Sequence, residues 1–549
     1  MTQDHDGAHI AEKPNGDHLE EAAEMDHEAG ISKEGAEVTP ITSAFADWGR
    51  AKCIKKFWRL YACGLSVSLA GMYAGYANSV VGSIVANEGF IKQFATVRDP
   101  KTGQPALNAN HVSLWSSMFF VTAIAIQLIA PHTADRFGRK FNMWGVTFFL
   151  TLSIIVAIIS KNWIVLLVAR LIAGRAGGMM GTSVMVYMSE IAMPQFRGAL
   201  LGSFSLAFSL GQVFLAIGLK ILEDTNPMHF RNIFYSEFVF CGLWIMPMLF
   251  LPESPGSSWY ASKGKHEEAK NSLRKLVGDV EGYDVEHEYA VMRYEIDQSI
   301  ALSQSLGGDS DWKALMTPIN LKRAIISTLP LTFQNVVGVP LMFGYTTYFF
   351  SMANVEDPFL GKIIINAILL VGIILSFYMV DKVGRRTLVL SGGFGMMVIC
   401  FIVGGLGFMQ PTSASGPVLI ALCGIWAFLY ANSLAPIGWI SLVEVSSPKL
   451  RAKTTSLAVT VQYITGIIFN YTVPLMLSNQ YAGWQQKIGL FFGGVTFAYL
   501  IPCVLLYPET KGRTYQELDE LFERRIPAWK FAQLKTAHQA GIELRARDL

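Results

Sequence analysis

Long apolar runs recur along this chain from residue 61 to residue 507, separated by polar turns and by one long polar stretch at 256–323. They fall near 61–86, 112–134, 141–160, 163–188, 198–219, 232–250, 324–350, 361–380, 387–408, 417–442, 456–477 and 486–507. Each is close to the length an α-helix needs to cross hydrocarbon, where only closed structures satisfy their own backbone. The pattern predicts an all-α polytopic membrane protein with twelve transmembrane helices in two pseudo-symmetric six-helix bundles. Its parts are an acidic N-terminal tail at 1–58, a bundle at 59–251, a central loop with short amphipathic helices at 252–323, a second bundle at 324–507 and a C-terminal segment at 508–549.

A duplicated set of charges supports the two halves. Asp135-Arg136-x-Gly138-Arg139-Lys140 returns as Asp381-Lys382-x-Gly384-Arg385-Arg386, 246 residues later. Glu190 and Arg197 return as Glu444 and Arg451 after 254 residues, and Pro252-Glu253 returns as Pro508-Glu509 after 256. Three anchors in one order at nearly one offset imply two copies of one unit. On one face, such groups form interhelical salt bridges and charge-assisted hydrogen bonds. Breaking them on opening would make Asp135, Arg136, Arg139, Glu190, Arg197, Glu253, Asp381, Arg385, Glu444, Arg451 and Glu509 an inner gate latch. The plainer reading is that they mark topology. Basic residues beside the span ends set direction. Lys52, Lys55, Lys56 and Arg59 precede the first run, and the two basic turns fall on the same side if there are twelve spans, which puts both termini and the central loop in the cytoplasm.

Composition narrows the class. Of 549 residues, 52% are hydrophobic and 16% charged, against about 25% charged in soluble globular proteins. A net charge of +2 says nothing about nucleic acid, and with no basic–aromatic stripe none is expected as a partner. Six cysteines without CxxC or ligand spacing imply neither a disulfide scaffold nor a metal site. The first apolar run follows an acidic head, unlike a cleavable signal, and no GxxxxGK[ST] loop is present, so an ATP-driven pump is excluded. Asn470-Tyr471-Thr472 has the form of a glycosylation acceptor but falls inside a span.

The segments DRFGRK (135–140), RLIAG to SEIAMPQFRGAL (170–200), PESP (252–255), DKVGRR (381–386), PIGW (436–439) and PETKGR (508–513) resemble the major facilitator superfamily and, within it, the sugar porter family. GYTTYFF (344–350), LRAKTTSLA (450–458) and GIIFNYTVPLML (466–477) resemble the fungal maltose-type α-glucoside permeases. The resemblance implies the major facilitator fold and plasma-membrane transport of a neutral sugar by alternating access, with the lipid bilayer as surroundings, a monomer as the transport unit, and neither catalysis nor a cofactor. It also implies site residues. Gln212 in span 5, Gln334 and Asn335 in span 7, and Trp439 in span 10 match family positions for sugar ligands. Asn470 in span 11 and Tyr345 and Tyr348 near the outer end of span 7 are further candidates. Amides bond sugar hydroxyls in pairs, and a ring covers the apolar sugar face. The alternative for each is a bridge between helices or an interfacial anchor. Glycines 75, 82, 174, 177, 178 and 181 read as close helix contacts.

Three family positions differ: Ser205, Pro340 and Ala77, the last standing where the resemblance implies a proton-carrying aspartate, with Arg170 facing it. A carboxylate within a span is costly when charged and so can alternate protonation with exposure; Ala77 cannot. This favours a facilitator slightly over a proton-coupled symporter. Glu237 in span 6 reads as a relocated proton site, a structural partner for an arginine, or an interfacial acid, and Arg175 as a second buried base. A polyol, inositol or quinate-like solute is an alternative substrate, and a non-transporting nutrient sensor is an alternative class.

Overall fold

The computed structural model describes residues 43–536 apart from 46–47, 102, 194, 256–259, 261–263, 295–309, 411, 413, 447–449, 514, 525, 532 and 535. The head up to residue 42 lies outside the described residues, as do the side chains of Asp381 and Arg451.

The first half runs span 1 (Trp58–Ile84), span 2 (Ala109–Phe137), span 3 (Arg139–Ile159), span 4 (Trp163–Ile191), span 5 (Arg197–Thr225) and span 6 (Arg231–Phe250). The second runs span 7 (Pro318–Val336, then Thr346–Met352), span 8 (Pro358–Val383), span 9 (Arg385–Leu406), span 10 (Ser415–Asn432, then Leu434–Glu444), span 11 (Arg451–Leu477) and span 12 (Ile488–Leu506). Among the described residues, ten helices are long and apolar enough to cross a membrane by length and composition. Span 1 and span 7 fall short for different reasons. The first carries many serines, glycines and tyrosines and buries most of them, and the second is broken.

Both breaks depart from the continuous runs read at 324–350 and 417–442. In span 7, Gly338 takes φ +107° and Pro340 has no N–H to give the preceding turn, so residues Pro340–Gly344 form a π-helical turn. In span 10, Ser433 leaves the helical region at φ −123°, ψ −85°. Pro436, three residues on, cannot donate back to Asn432. Apolar periodicity does not register either break.

Packing repeats between halves. Span 1 lies on span 5 and span 7 on span 11; span 2 lies on span 4 and span 8 on span 10. The halves meet where span 2 packs on span 11 and span 5 on span 8. Trp115, Trp244 and Trp426 are fully buried inside the bundles, whereas Trp58, Phe148, Phe250 and Phe497 are widely exposed. An apolar exterior of this extent suits lipid rather than water. Gly75, Gly174 and Gly178 permit close crossings: a Cβ on any of them would overlap a backbone carbonyl of the facing helix. Gly181 faces open space instead, so close contact does not explain it.

Candidate functional site

The duplicated charges build the same cap twice. Gly138 (φ +98°) and Gly384 (φ +109°) turn the chain into spans 3 and 9 in a conformation that favours glycine. The carboxylate of Glu253 accepts the backbone N–H groups of Arg139 (2.8 Å) and Lys140 (3.0 Å); Glu509 accepts those of Arg385 (2.8 Å) and Arg386 (3.1 Å). Each carboxylate thus satisfies two orphan donors at a helix N-terminus, where negative charge is favoured. Arg139 pairs with Asp135 (2.8 Å) and Glu190 (3.3 Å), and Arg385 with Glu444 (3.0 Å). These pairs join helices within one half. Arg136 lies over the Phe137 ring at 5.4 Å, and the exposed Arg197 reaches the Ala192 carbonyl at 3.5 Å.

In the middle of the second half, the candidate sugar ligands gather between spans 7, 10 and 11. Gln334 donates to the Leu434 carbonyl (2.9 Å), a group at the break in span 10, and accepts from Gln462 at 3.4 Å. Asn335 donates to the Gln462 carbonyl (2.8 Å) and to Thr465 Oγ1 (2.9 Å). Asn470 donates to the Gly466 carbonyl (2.8 Å), and its own carbonyl accepts from Tyr345 Oη at 3.0 Å. Gly438 makes room for the amide of Gln334, which a Cβ there would meet at 2.5 Å. Tyr345 and Tyr348 are both buried just after the break in span 7, and Trp439 is 49% exposed. Gln212 stands with a different set: its amide donates to Ser79 Oγ on span 1 (3.1 Å), and its carbonyl accepts from Asn366 on span 8 (3.0 Å). The sequence reading passed over Gln462, Thr465, Ser79 and Asn366. The first two share one face of span 11 at a spacing of three residues, a signal that was present in the sequence.

In the first half, a cavity of about 20 Å³ is large enough for one water. Ala77, Ser153, Arg170 and Glu237 line it, along with apolar groups such as Leu150 and Phe234. Glu237 is 3% exposed and Arg170 7%. Arg170 also donates to the Trp115 carbonyl (3.1 Å) and covers the Phe119 ring at 5.2 Å. The structure therefore sets the acid of span 6 and the base of span 4 around the hollow beside Ala77. Arg175 corrects the sequence reading. It is exposed rather than buried and sits 5.8 Å from the Phe149 ring of span 3, because the tightly packed face of span 4 is the one that Gly174 and Gly178 turn to span 2. Among the described residues no cluster of His, Cys, Asp and Glu is suited to a metal.

Comparison with known proteins gives one family. The model for "Sugar (and other) transporter" matches residues 63–522. In Saccharomyces cerevisiae, the low-affinity glucose transporter HXT3 is 26% identical over 506 residues, covering 89% of this chain and 86% of its own. The maltose permease MAL31 is 26% identical over 550 residues, covering 97% and 86%. The alpha-glucosides permease MPH3 is 28% identical over 500 residues, covering 88% and 81%. Among solved structures, the inward-open xylose transporter XylE of E. coli superposes with a TM-score of 0.69 at 21% identity, over 84% of this chain and 99% of that one. The proton:xylose symporter XylE bound to 6-bromo-6-deoxy-D-glucose gives 0.65 at 22% identity, over 85% and 100%.

Proposed function

The chain belongs to the sugar (and other) transporter family, the sugar porters of the major facilitator superfamily, and on that premise we propose that it is a proton-coupled symporter of a neutral sugar. It is a multi-pass membrane transporter and not an enzyme, related to the fungal hexose and α-glucoside permeases. The finer reading rests on one observation above all: Glu237 and Arg170 line the same buried cavity as Ala77. A carboxylate so placed can take over the role that Ala77 cannot fill. In lipid an uncompensated charge is expensive, so protonation of Glu237 and its release from the field of Arg170 become linked to which side the cavity faces. This reverses the lean toward a facilitator that Ala77 alone suggested. The named likeness to a proton:xylose symporter supports the reversal, and the low-affinity glucose transporter among the relatives keeps the facilitator as the rival.

For substrate, the amide set of Gln334, Asn335 and Asn470 supports a polyhydroxy solute bound by paired hydrogen bonds. The permeases for maltose and α-glucosides favour a disaccharide or α-glucoside, with a hexose next. Trp439 supplies the exposed ring, and Tyr345 and Tyr348 lie at the outer closure. The domain division, a cytoplasmic placement of both termini and the central loop, the plasma membrane as location, and gating by the paired charges complete the reading.

Uptake into vesicles with simultaneous pH recording tests it. Sugar should alkalinise the outer medium, and Glu237→Gln should abolish that signal while sugar counterflow persists. Sugar flux with no proton movement in the native chain would overturn symport in favour of facilitation. Absence of flux for every sugar in a panel would favour a sensor.

A further inference from the structure

A buried cation stands where neither the sugar site nor the proton reading uses it. Lys362 is 1% exposed and lies in the second turn of span 8. A lysine one turn from a helix end ordinarily extends its amine to the interface, and the N-terminal end of a helix disfavours positive charge. This one turns inward instead. The nearest acid in sequence, Asp357, is engaged by Lys220 of span 5 at 2.6 Å.

The amine goes to the break in span 7. Lys362 Nζ donates to the Phe343 carbonyl (2.7 Å) and to Thr346 Oγ1 (3.2 Å). The π-helical turn at Pro340–Gly344 disturbs the regular ladder, with the Tyr345 N–H shared between the Pro340 and Leu341 carbonyls. Carbonyls freed in this way need a partner at membrane depth. Immediately after Phe343, the carbonyl of Gly344 touches Gly82 of span 1 so closely that any Cβ on Gly82 would overlap it. The break is therefore also the point where the second half closes on the first. One turn further along span 8, Asn366 donates to the Gln212 carbonyl of span 5, and Gln212 in turn reaches Ser79 of span 1. Spans 8, 7, 1 and 5 thus form a ring of contacts, and Lys362 makes its polar link to span 7.

We propose that Lys362 is a positioning residue: its amine holds the π-helical turn of span 7 in the shape that closes against Gly82, on the face opposite the duplicated charges. What it contributes is hydrogen-bond donation to the turn. A neutral donor of similar reach should therefore replace it, and an apolar side chain should not.

The test uses the full chain in proteoliposomes with Ser83→Cys as reporter. Ser83 is fully buried on span 1 beside Gly82, and the substitution changes its size little. A membrane-impermeant maleimide added to the closed face should label this thiol slowly. Adding Lys362→Met should speed labelling by about five- to thirtyfold, the population shift expected from losing one or two such bonds, and should raise KM. Lys362→Gln should stay within about twofold of the reporter alone, since an amide N–H₂ still donates. Equal labelling with and without Lys362→Met overturns the proposal, as does a Lys362→Gln variant that labels as fast as the Met variant. If Lys362→Met yields no folded protein, Thr346→Val removes the other atom the amine holds. Labelling must rise there too, and an unchanged rate overturns the proposal.

Discussion

At the face of the duplicated charges, the two halves are nearly interchangeable. Glu253 and Glu509 each cap the helix that follows a positive-φ glycine, through the same pair of backbone N–H groups. In the middle of the membrane the resemblance stops. The first half holds an acid and a base around a cavity, Glu237 and Arg170. The second holds an amide cluster, Gln334, Asn335, Gln462 and Asn470, threaded between two broken helices. The difference teaches that the two copies match where backbone ends must be satisfied and diverge in the polar groups they bury at mid-membrane. In the proposed cycle, the halves divide the work: one handles the proton, the other most of the sugar.

The largest effect should come from breaking that division on the proton side. Glu237→Gln should eliminate sugar accumulation against a gradient while leaving counterflow in place, measured as steady-state uptake with and without an imposed pH difference. On the sugar side, Gln334→Ala should weaken sugar binding by about 1–3 kcal/mol, the cost of leaving buried partners unpaired. That is roughly a five- to 150-fold rise in the dissociation constant, read by isothermal titration. A full loss of proton coupling in Gln334→Ala with unchanged affinity would erase the distinction between the halves.

How much of this was legible beforehand follows from the physics of each feature. Apolar runs state themselves over twenty residues, so the helices and the six-plus-six order could be read directly. The turn glycines were equally plain, because charge interrupting such runs is rare; that Glu253 and Glu509 cap the helices after them was not, because each acid comes from more than 110 residues further along the chain. The breaks at Gly338–Pro340 and Ser433 could not be read, since apolar periodicity is blind to a local change in backbone hydrogen bonding. Glu237 was visible as an acid in a span, but its place beside Ala77 and Arg170 depends on how spans 1, 4 and 6 cross. Arg175 shows the same limit in reverse: its position in an apolar run suggested burial, whereas the packing of span 4 leaves it exposed. Lys362 sits inside the run read at 361–380 and went unremarked, although a lone cation there was itself a signal.

Two smaller effects sharpen the comparison at the faces. Glu253→Ala and Glu509→Ala should each lower stability by about 0.5–2 kcal/mol, the usual value of a lost N-terminal cap. Their melting temperatures should fall in parallel, and the double variant should show the sum, since the sites share no partner. Unequal losses would mean that the two copies have taken on different loads. Weakest of all should be the ion pair on the opposite face, where Lys220 of the first half meets Asp357 at the start of span 8 at 2.6 Å. Burial alone would raise the Asp357 pKa, but Lys220 and the Leu360 N–H outweigh it and hold the carboxyl below its ordinary value. A depressed carboxyl pKa contributes stability above the ordinary Asp range and loses it as pH falls through the lowered value. Both side chains are partly exposed, so Asp357→Asn should cost only about 0.2–1 kcal/mol. Thermal melts at neutral pH should resolve that difference, and it should shrink at high salt, because screening acts on an exposed pair and spares the buried contacts around Lys362.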